Sequence, residues 1–373
     1  MTVRTLSVRG LNRATLARQM LLARATLPAP QAIDRLAGLQ AQLPVAPYIG
    51  LWTRLHDFRR EDLARPIEER CVVKATLMRA TLHLFSAEDY LQLRATLQPA
   101  LDQAAGSIAR RRAPGLDYER AVEAARAYIA EELRTFAEIS TMLSALMRDA
   151  DVGPLRYTVR TRLPLVQAPV ANGWSYPGNP RFALADRWLG RPVPVEQDLR
   201  ALVWRYLAAF GPATVSDLQT WWGLAKLKEP LQALKPELVT FRDVGGRELL
   251  DLPDAPRPGA DAPAPARFLP DFDNLLLGHS LRTRIIPAAF HAQVFLPGLR
   301  VAATVLVDGF VAGAWKIETA RRRASLVIEP FVPFDAPTRA ALAEEGERLV
   351  RFVAGGEGKG GERSFEVRFE GQG

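Results

Sequence analysis

Gln40 and Gln42, one residue apart in "RLAGLQAQLPVAPYIGLW" (residues 35–52), are the side chains whose spacing raises a chemical question. A carboxamide takes no proton near neutrality, so the pair cannot act as a general acid or base. It can hold a water or orient a sugar through an acceptor oxygen and two donor hydrogens. Residues two apart point about 200° from one another on a helix but share a face in extended backbone. Pro44 pushes Leu43 towards extended geometry, and Gly38 weakens a helix. The helix starting near Pro30 therefore either ends by Gln40 and presents both amides to one cavity, or leaves them on different sides of its last turn. Residue type alone makes two glutamines at a helix end ordinary surface.

Other catalytic chemistry is scarce. The four histidines (His56, His83, His279, His291) are scattered without an HExxH-type pair, and the single cysteine, Cys71, rules out an internal disulfide and a thiolate zinc site. No metal site and no cofactor are expected. Walker and GxGxxG motifs are missing; "GGEGKGG" (355–361) has the wrong spacing, no following Ser or Thr, and reads as a flexible loop. No lysine stands out as a Schiff-base nucleophile. The seven tryptophans read as core packing.

The elements that must position these residues follow from periodicity and punctuation. "LNRATLARQMLLAR", "LPAPQAIDRLAGLQ" and "FRREDLARPIEE" read as helices, "CVVKATLMRATLHLFS" as two strands, and "AEDYLQLRATLQPALDQA" as another helix. That is winged-helix order, and it recurs. "ERAVEAARAYIAEEL" and "TFAEISTMLSALM" are helical, while "YTVRTRLPLVQAPVANGWSYPGNPRFAL" reads as two strands around a Gly/Asn/Pro-rich wing. In "FGPATVSDLQTWW", Gly211 and Pro212 break one helix, Thr214 or Ser216 caps the next, and Leu218, Trp221 and Trp222 form its buried face. "ELVTFRDVGGRELLDL" completes that unit as a hairpin. "PDAPRPGADAPAPA" is a linker. Beyond it, "RFLPDFDNLLLGHSLRTRII" and "RVAATVLVDGFVAGAWKIE" read as β-rich with an Asp-Gly hairpin turn, followed by a strand, a helix and a last strand. The expectation is an α+β chain of three tandem winged helices (1–115, 116–195, 196–253), a linker (254–265) and a C-terminal β-rich domain (266–373).

The net charge is +8, and 43 of the 49 basic residues are arginine. Such a field favours polyanions, nucleic acid before an anionic membrane, and arginine's planar fork suits phosphate. Residues 151–195 hold six arginines against Asp151 and Asp186, and Arg110, Arg111 and Arg112 form a run. Each run by itself is equally well a solvated surface. Charge, fold and repetition together point to DNA binding, and three copies in one chain suit a wrapped duplex better than a dimeric repressor. No signal-peptide core and no run of 18 apolar residues occurs, so a cytoplasmic protein without a membrane segment is expected.

The stretches "LAGLQAQLPVAPYIGLWTRL", "LMRATLHLFSAEDYLQLR", "FLPDFDNLLLGHSLRTRII" and "VLVDGFVAGAWKIE" together resemble the bacterial winged-helix DNA glycosylases of the azinomycin-resistance (AlkZ-like) type, over nearly the full chain. The resemblance implies tandem winged helices around a DNA channel and removal of N7-alkylated purines, in some members from interstrand crosslinks. It places the family's glutamine–aliphatic–glutamine motif on Gln40-Ala41-Gln42. A glutamine rather than an aspartate at position 42 points, by resemblance, to the crosslink-unhooking, self-resistance branch. An aspartate would face a cationic sugar more favourably; Asp57 and Glu61 lie nearby in sequence.

The expected roles are Gln42 positioning water and Gln40 orienting the water or sugar. Arg79, His83, Arg160, Arg162, His279, Arg282 and Arg284 are candidate DNA contacts, although Arg79 could equally be an ion-pair partner and His83 a core histidine. A crosslinked base stays tethered to the opposite strand, so an open arginine-lined channel is expected in place of a deep pocket. The partner expected is double-stranded DNA carrying alkylated or crosslinked guanine, met by a monomer. A non-catalytic DNA-binding regulator and a protein-interaction scaffold are the competing readings.

Overall fold

A computed structural model describes residues 4–171, 173–355 and 364–371. The motif "GGEGKGG" lies, after Gly355, outside the described residues.

The chain is a mixed α+β protein, and the glutamines sit at the edge of its largest sheet. After the helix Ala29–Arg35, with Pro30 in its first turn, Ala37 (φ +56°) and Gly38 (φ +84°) turn the backbone sharply. A Cβ on Gly38 would lie 2.3 Å from the Phe85 ring, so only glycine lets the chain pass here. The backbone emerges extended: Leu39–Gln40 pairs antiparallel with Leu82–Ser86, Gln40 opposite His83. Leu82–Ser86 pairs with Val72–Thr76, and Ala75 opposite Val166 joins that hairpin to the next, Leu165–Gln167 with Arg181–Leu184. Arg134–Thr135 completes a six-stranded sheet. One sheet thus spans both the first and second helix-and-hairpin repeats.

In the second repeat, helices Tyr118–Glu131, Phe136–Leu146 and Val152–Arg162 precede the hairpin. The expected strand at "YTVRTR" is therefore helix. Asp151 caps it by accepting from Gly153 N, and Leu155 and Val159, four apart, face the core; that spacing outweighs the local alternation. In the third repeat, Leu199–Phe210, Val215–Trp222 and Lys228–Leu234 precede the hairpin Val239–Asp243/Glu248–Asp251. Thr214 and Asp217 form a capping box, and Trp221 and Trp222 are fully buried. Thr5–Leu6 pairs parallel with Val239–Asp243, so the strand ahead of the first helix joins this repeat's sheet.

Two further expectations are corrected. The first helix is Val8–Arg18, capped by Ser7; Met20 at φ +56° ends it, leaving Leu21 and Leu22 outside. "RFLPDFDNLLLGHSLRTRII" is not β-rich. Only Arg267–Leu269 is strand; Asp273 then caps the short helix Asn274–Leu277, and Arg282–Arg284 is a 3-10 turn. The reason is local: Asp273 accepts from Leu275 N, a side-chain–backbone bond that competes with a ladder.

The linker segment has neither helix nor strand, yet it is held: Arg9 Nε donates to Ala260 O (2.8 Å) and Arg13 Nε to Ala262 O (2.6 Å). Beyond it, Arg267–Leu269, Thr304–Val307, Phe310–Thr319, Arg323–Pro330 and Ser364–Phe369 form a five-stranded sheet covered by the helix Ala336–Ala354. Its Asp308–Gly309 turn docks on the first helix through Asn12 Nδ2 to Gly309 O (2.7 Å).

The segment after Leu277 is fastened under the third repeat. His279 Nε2 donates to Phe210 O (3.0 Å), Arg284 Nη1 to Pro212 O (2.9 Å), and Ser280 N and Oγ both donate to Asp217 Oδ1. Burial, then the neighbouring Arg284 charge, pushes His279 down to about 3, so it is neutral at physiological pH.

Two outcomes follow. Gly38→Ala forces a Cβ into Phe85 at positive φ, and urea unfolding should show a loss of about 3 kcal/mol. For His279, the unfolded imidazole binds a proton near pH 6.5 that the folded state refuses down to about pH 3. Its contribution is complete above pH 6.5 and shrinks as pH falls. His279→Gln keeps a donor for Phe210 O but cannot titrate. Between pH 6 and 4 the wild type should lose about 1.4 kcal/mol per pH unit more than this variant.

Candidate active site

The extended backbone settles the orientation of the pair. Gln40 Nε2 donates to Gln42 Oε1 at 2.5 Å, so both carboxamides share a face. Gln40 is 7% exposed, whereas Gln42 is exposed. The strand is held from both sides: Ala41 N donates to Leu82 O (2.8 Å), and Gln40 N donates to Asn274 Oδ1 (3.2 Å). Asn274 Nδ2 in turn donates to Gly38 O (2.5 Å) and Leu36 O (3.3 Å). Beside it, Asp273 accepts both Arg54 nitrogens (2.7 and 2.8 Å) in a buried bidentate pair.

Arg79 orients Gln40. It lies in the Leu77–Thr81 turn of the first hairpin at φ +54°. Its guanidinium stacks on Trp221 (4.6 Å) and donates from Nη1 to Trp221 O (2.7 Å). Nη2 donates to Gln40 Oε1 (3.0 Å). A cation on Gln40's oxygen fixes which end of the amide is donor, and Gln40's NH₂ then fixes Gln42's oxygen towards it. Gln42 keeps a second lone pair and its NH₂ for an incoming molecule.

His83, opposite Gln40 on the sheet, is fully buried. Its Nδ1–H donates to Thr81 O (3.0 Å), leaving Nε2 as an acceptor 3.4 Å from Arg79 Nη2. Burial, then the Arg79 charge, holds its pKa well below 6.5, so it is a neutral acceptor. Burial, then Arg282, brings Arg79 down to about 10, still protonated at pH 7. Arg282 stacks on Phe295 (4.4 Å), and its buried Nε meets no acceptor among the described residues.

The structure thus brings together Gln40, Gln42, Arg79 and His83, with Arg282 close enough to perturb Arg79. It does not bring His279 and Arg284 there; both are buried under the third repeat, at 1% and 5% exposure. Each is buried and donates to a backbone carbonyl, His279 to Phe210 O and Arg284 to Pro212 O, which makes them part of the scaffold. Arg162 pairs with Glu119 and Asp102, and Arg160 stacks on Tyr157 of the same helix. Glu61 lines a separate cleft with His56 and Asp62. Asn274 and Trp221 were not legible as site residues. The signal for Asn274 was a polar pair, Asp273–Asn274, standing where a strand would need apolar side chains.

Three amides and one cation, with the histidine neutral, form an arrangement that can hold a water or a sugar by hydrogen bonds. The family model for AlkZ-like DNA glycosylases matches residues 33–352. The interstrand DNA cross-link repair glycosylase of Streptomyces sahachiroi is 26% identical over 371 residues, covering 90% of this chain and 93% of that protein. The solved structure of the Streptomyces sahachiroi DNA glycosylase AlkZ has a TM-score of 0.75 at 22% identity, covering 97% of this chain and all of that one, which shows a shared fold. A family match that begins just before the glutamine strand and runs to the last helix makes the chain a member of the AlkZ-like DNA glycosylases, enzymes that act on N-glycosyl bonds.

Proposed function

We propose that the chain is a monofunctional, monomeric glycosylase that hydrolyses the N-glycosidic bond of N7-alkylated guanine in double-stranded DNA, including guanines joined in interstrand crosslinks. The observation that carries this reading is the Arg79–Gln40–Gln42 chain of hydrogen bonds, which ends in an exposed amide. An N7-alkylated guanine already bears a positive charge. When C1′–N9 breaks, the bond's electron pair neutralises the departing base, so no acid is needed. Water then adds to the oxocarbenium carbon and releases a proton to solvent. What remains for the enzyme is to aim that water. Gln42 Oε1 accepts a hydrogen bond from it, and Gln40 keeps Gln42 in place.

Arg79 and Arg282 are neighbouring cations, neither with a carboxylate within ion-pair distance among the described residues, a situation that a backbone phosphate of the damaged strand relieves. Those two residues are the DNA contacts we assign at the glutamine site. The recurrent order of helices and hairpin supports reading the three repeats as winged-helix units. A regulator needs no buried cation holding a glutamine amide in one orientation, and nothing in the family match favours one. The crosslink branch rests on the activity for which the Streptomyces relative is named and on glutamine at position 42.

On a duplex carrying N7-methylguanine, followed by alkaline cleavage of abasic sites, the wild type should cut. Gln40→Ala and Gln42→Ala should each lower the single-turnover rate by about 10²-fold while binding undamaged duplex as the wild type does. Equal rates would remove the assignment. Because neither amide titrates, the wild-type rate per folded molecule, with the folded fraction measured at each pH, should stay level from pH 4 to 6.5. Gln42→Glu should instead acquire a rising limb centred near the ordinary carboxyl pKa of about 4.3, as its side chain ionises. A matching limb in the wild type would mean that a carboxylate does the work.

A further inference from the structure

Helix Val152–Arg162 carries three arginines, and the structure separates them. Arg162 is spent on Glu119 and Asp102. Arg156 and Arg160 line a cleft of about 350 Å³ with Arg112, Phe136, Tyr157 and Gly153, and no acidic residue lines it. Arg112 is paired with Asp151 (2.8 Å) at the cleft's edge. Neither Arg156 nor Arg160 has a carboxylate within ion-pair distance among the described residues. Arg160 is pressed against Tyr157 (5.1 Å), and its buried Nε meets no hydrogen-bond acceptor among the described residues. Burial lowers its pKa, the expected response of a cation removed from water without an anion to replace it. A buried unmet guanidinium donor is costly, and an acceptor-rich anion supplies what it lacks.

We infer that this cleft binds a backbone phosphate of duplex DNA, with Arg156 and Arg160 as its two ligating cations. The inference rests on DNA being the substrate, and adds an anchor that shares no residue with the glutamine site. A phosphodiester fits the chemistry: it offers two anionic oxygens to two guanidiniums, while Phe136 and Tyr157 provide apolar walls for the sugar beside it. The accessible part of the Arg160 guanidinium and the exposed fork of Arg156 then contact one phosphate group. An anchor of this kind holds the duplex while the reacting nucleotide is handled elsewhere, so it acts on binding and leaves the bond-breaking step alone.

The test is anisotropy titration of undamaged duplex between 50 and 200 mM salt, with single-turnover excision at saturating enzyme measured in parallel. For the Arg156→Ala/Arg160→Ala double variant, the slope of log K against log salt should fall by about 1 to 2, since each lost phosphate contact removes roughly 0.9. Affinity at 100 mM salt should drop about tenfold or more, with the excision rate unchanged. Arg162→Ala, which loses only surface ion pairs, should bind within twofold of the wild type. Arg156→Glu, at an exposed position, should weaken binding in the same direction and keeps the test valid if the double variant unfolds. An unchanged salt slope in the double variant would overturn the inference. So would a cleft that takes only inorganic phosphate, seen as a thermal shift in 10 mM phosphate that the double variant loses while its duplex binding stays normal. Loss of excision in the Gln40 and Gln42 variants, measured separately, reports on the glycosylase reading and not on this anchor.

Discussion

Extended backbone at residues 39–42 is the constraint on which the site depends. Two side chains one residue apart meet only if the chain is not helical there, and nothing in the glutamines themselves enforces that. The enforcement comes from three neighbours: Gly38, which alone fits against Phe85; the strand Leu82–Ser86, which pairs with Gln40 through His83; and Asn274, which reaches in from more than two hundred residues away to satisfy Gln40 N and the carbonyls of Leu36 and Gly38. Each is a backbone-level contact, so the position of the amides is set before their side chains make any bond. Arg79 then sets their polarity.

The same logic explains why charged residues recur under the site without performing proton chemistry. Arg54 with Asp273 and Arg18 with Asp251 are buried bidentate pairs that tie the N-terminal helices to later segments. Asp217 receives four hydrogen bonds from Thr214 and Ser280. Arg54–Asp273 and Asp217–Ser280 fasten the segment bearing Asn274 and Arg282 to the repeats on either side, while Arg18–Asp251 ties the first helix to the third repeat. A buried pair of this kind is worth little as net stability but costs about 3–5 kcal/mol to break, which makes it an effective lock on geometry.

Much of this was legible in the sequence. The hairpin Val72–Thr76/Leu82–Ser86, the Thr214-capped helix with its two buried tryptophans, the Asp308–Gly309 turn and the last helix lie where periodicity and turn residues put them. The misreadings have physical causes. "YTVRTR" alternates like a strand, yet Leu155 and Val159 bury one helical face. "FDNLLLG" is apolar enough for a strand, but Asp273 and Asn274 spend their side chains on nearby backbone and stop the ladder. His279 and Arg284 look like phosphate ligands by type, and only tertiary packing reveals that both are buried and bonded to backbone carbonyls. The glutamine spacing posed a choice that sequence could not make, because the residues that decide it, Phe85 and Asn274, are distant in the chain.

If a cation aligns two neutral amides in series, then Arg79 and Gln42 act as one unit, and a double-mutant cycle on N7-methylguanine excision measures that directly. Arg79→Met and Gln42→Ala should each slow the single-turnover step, and the double variant should be little slower than the worse single, giving a coupling of about 1–3 kcal/mol. Additive losses in the double variant would mean that the two side chains work independently and that the hydrogen-bonded series between them is not the catalyst.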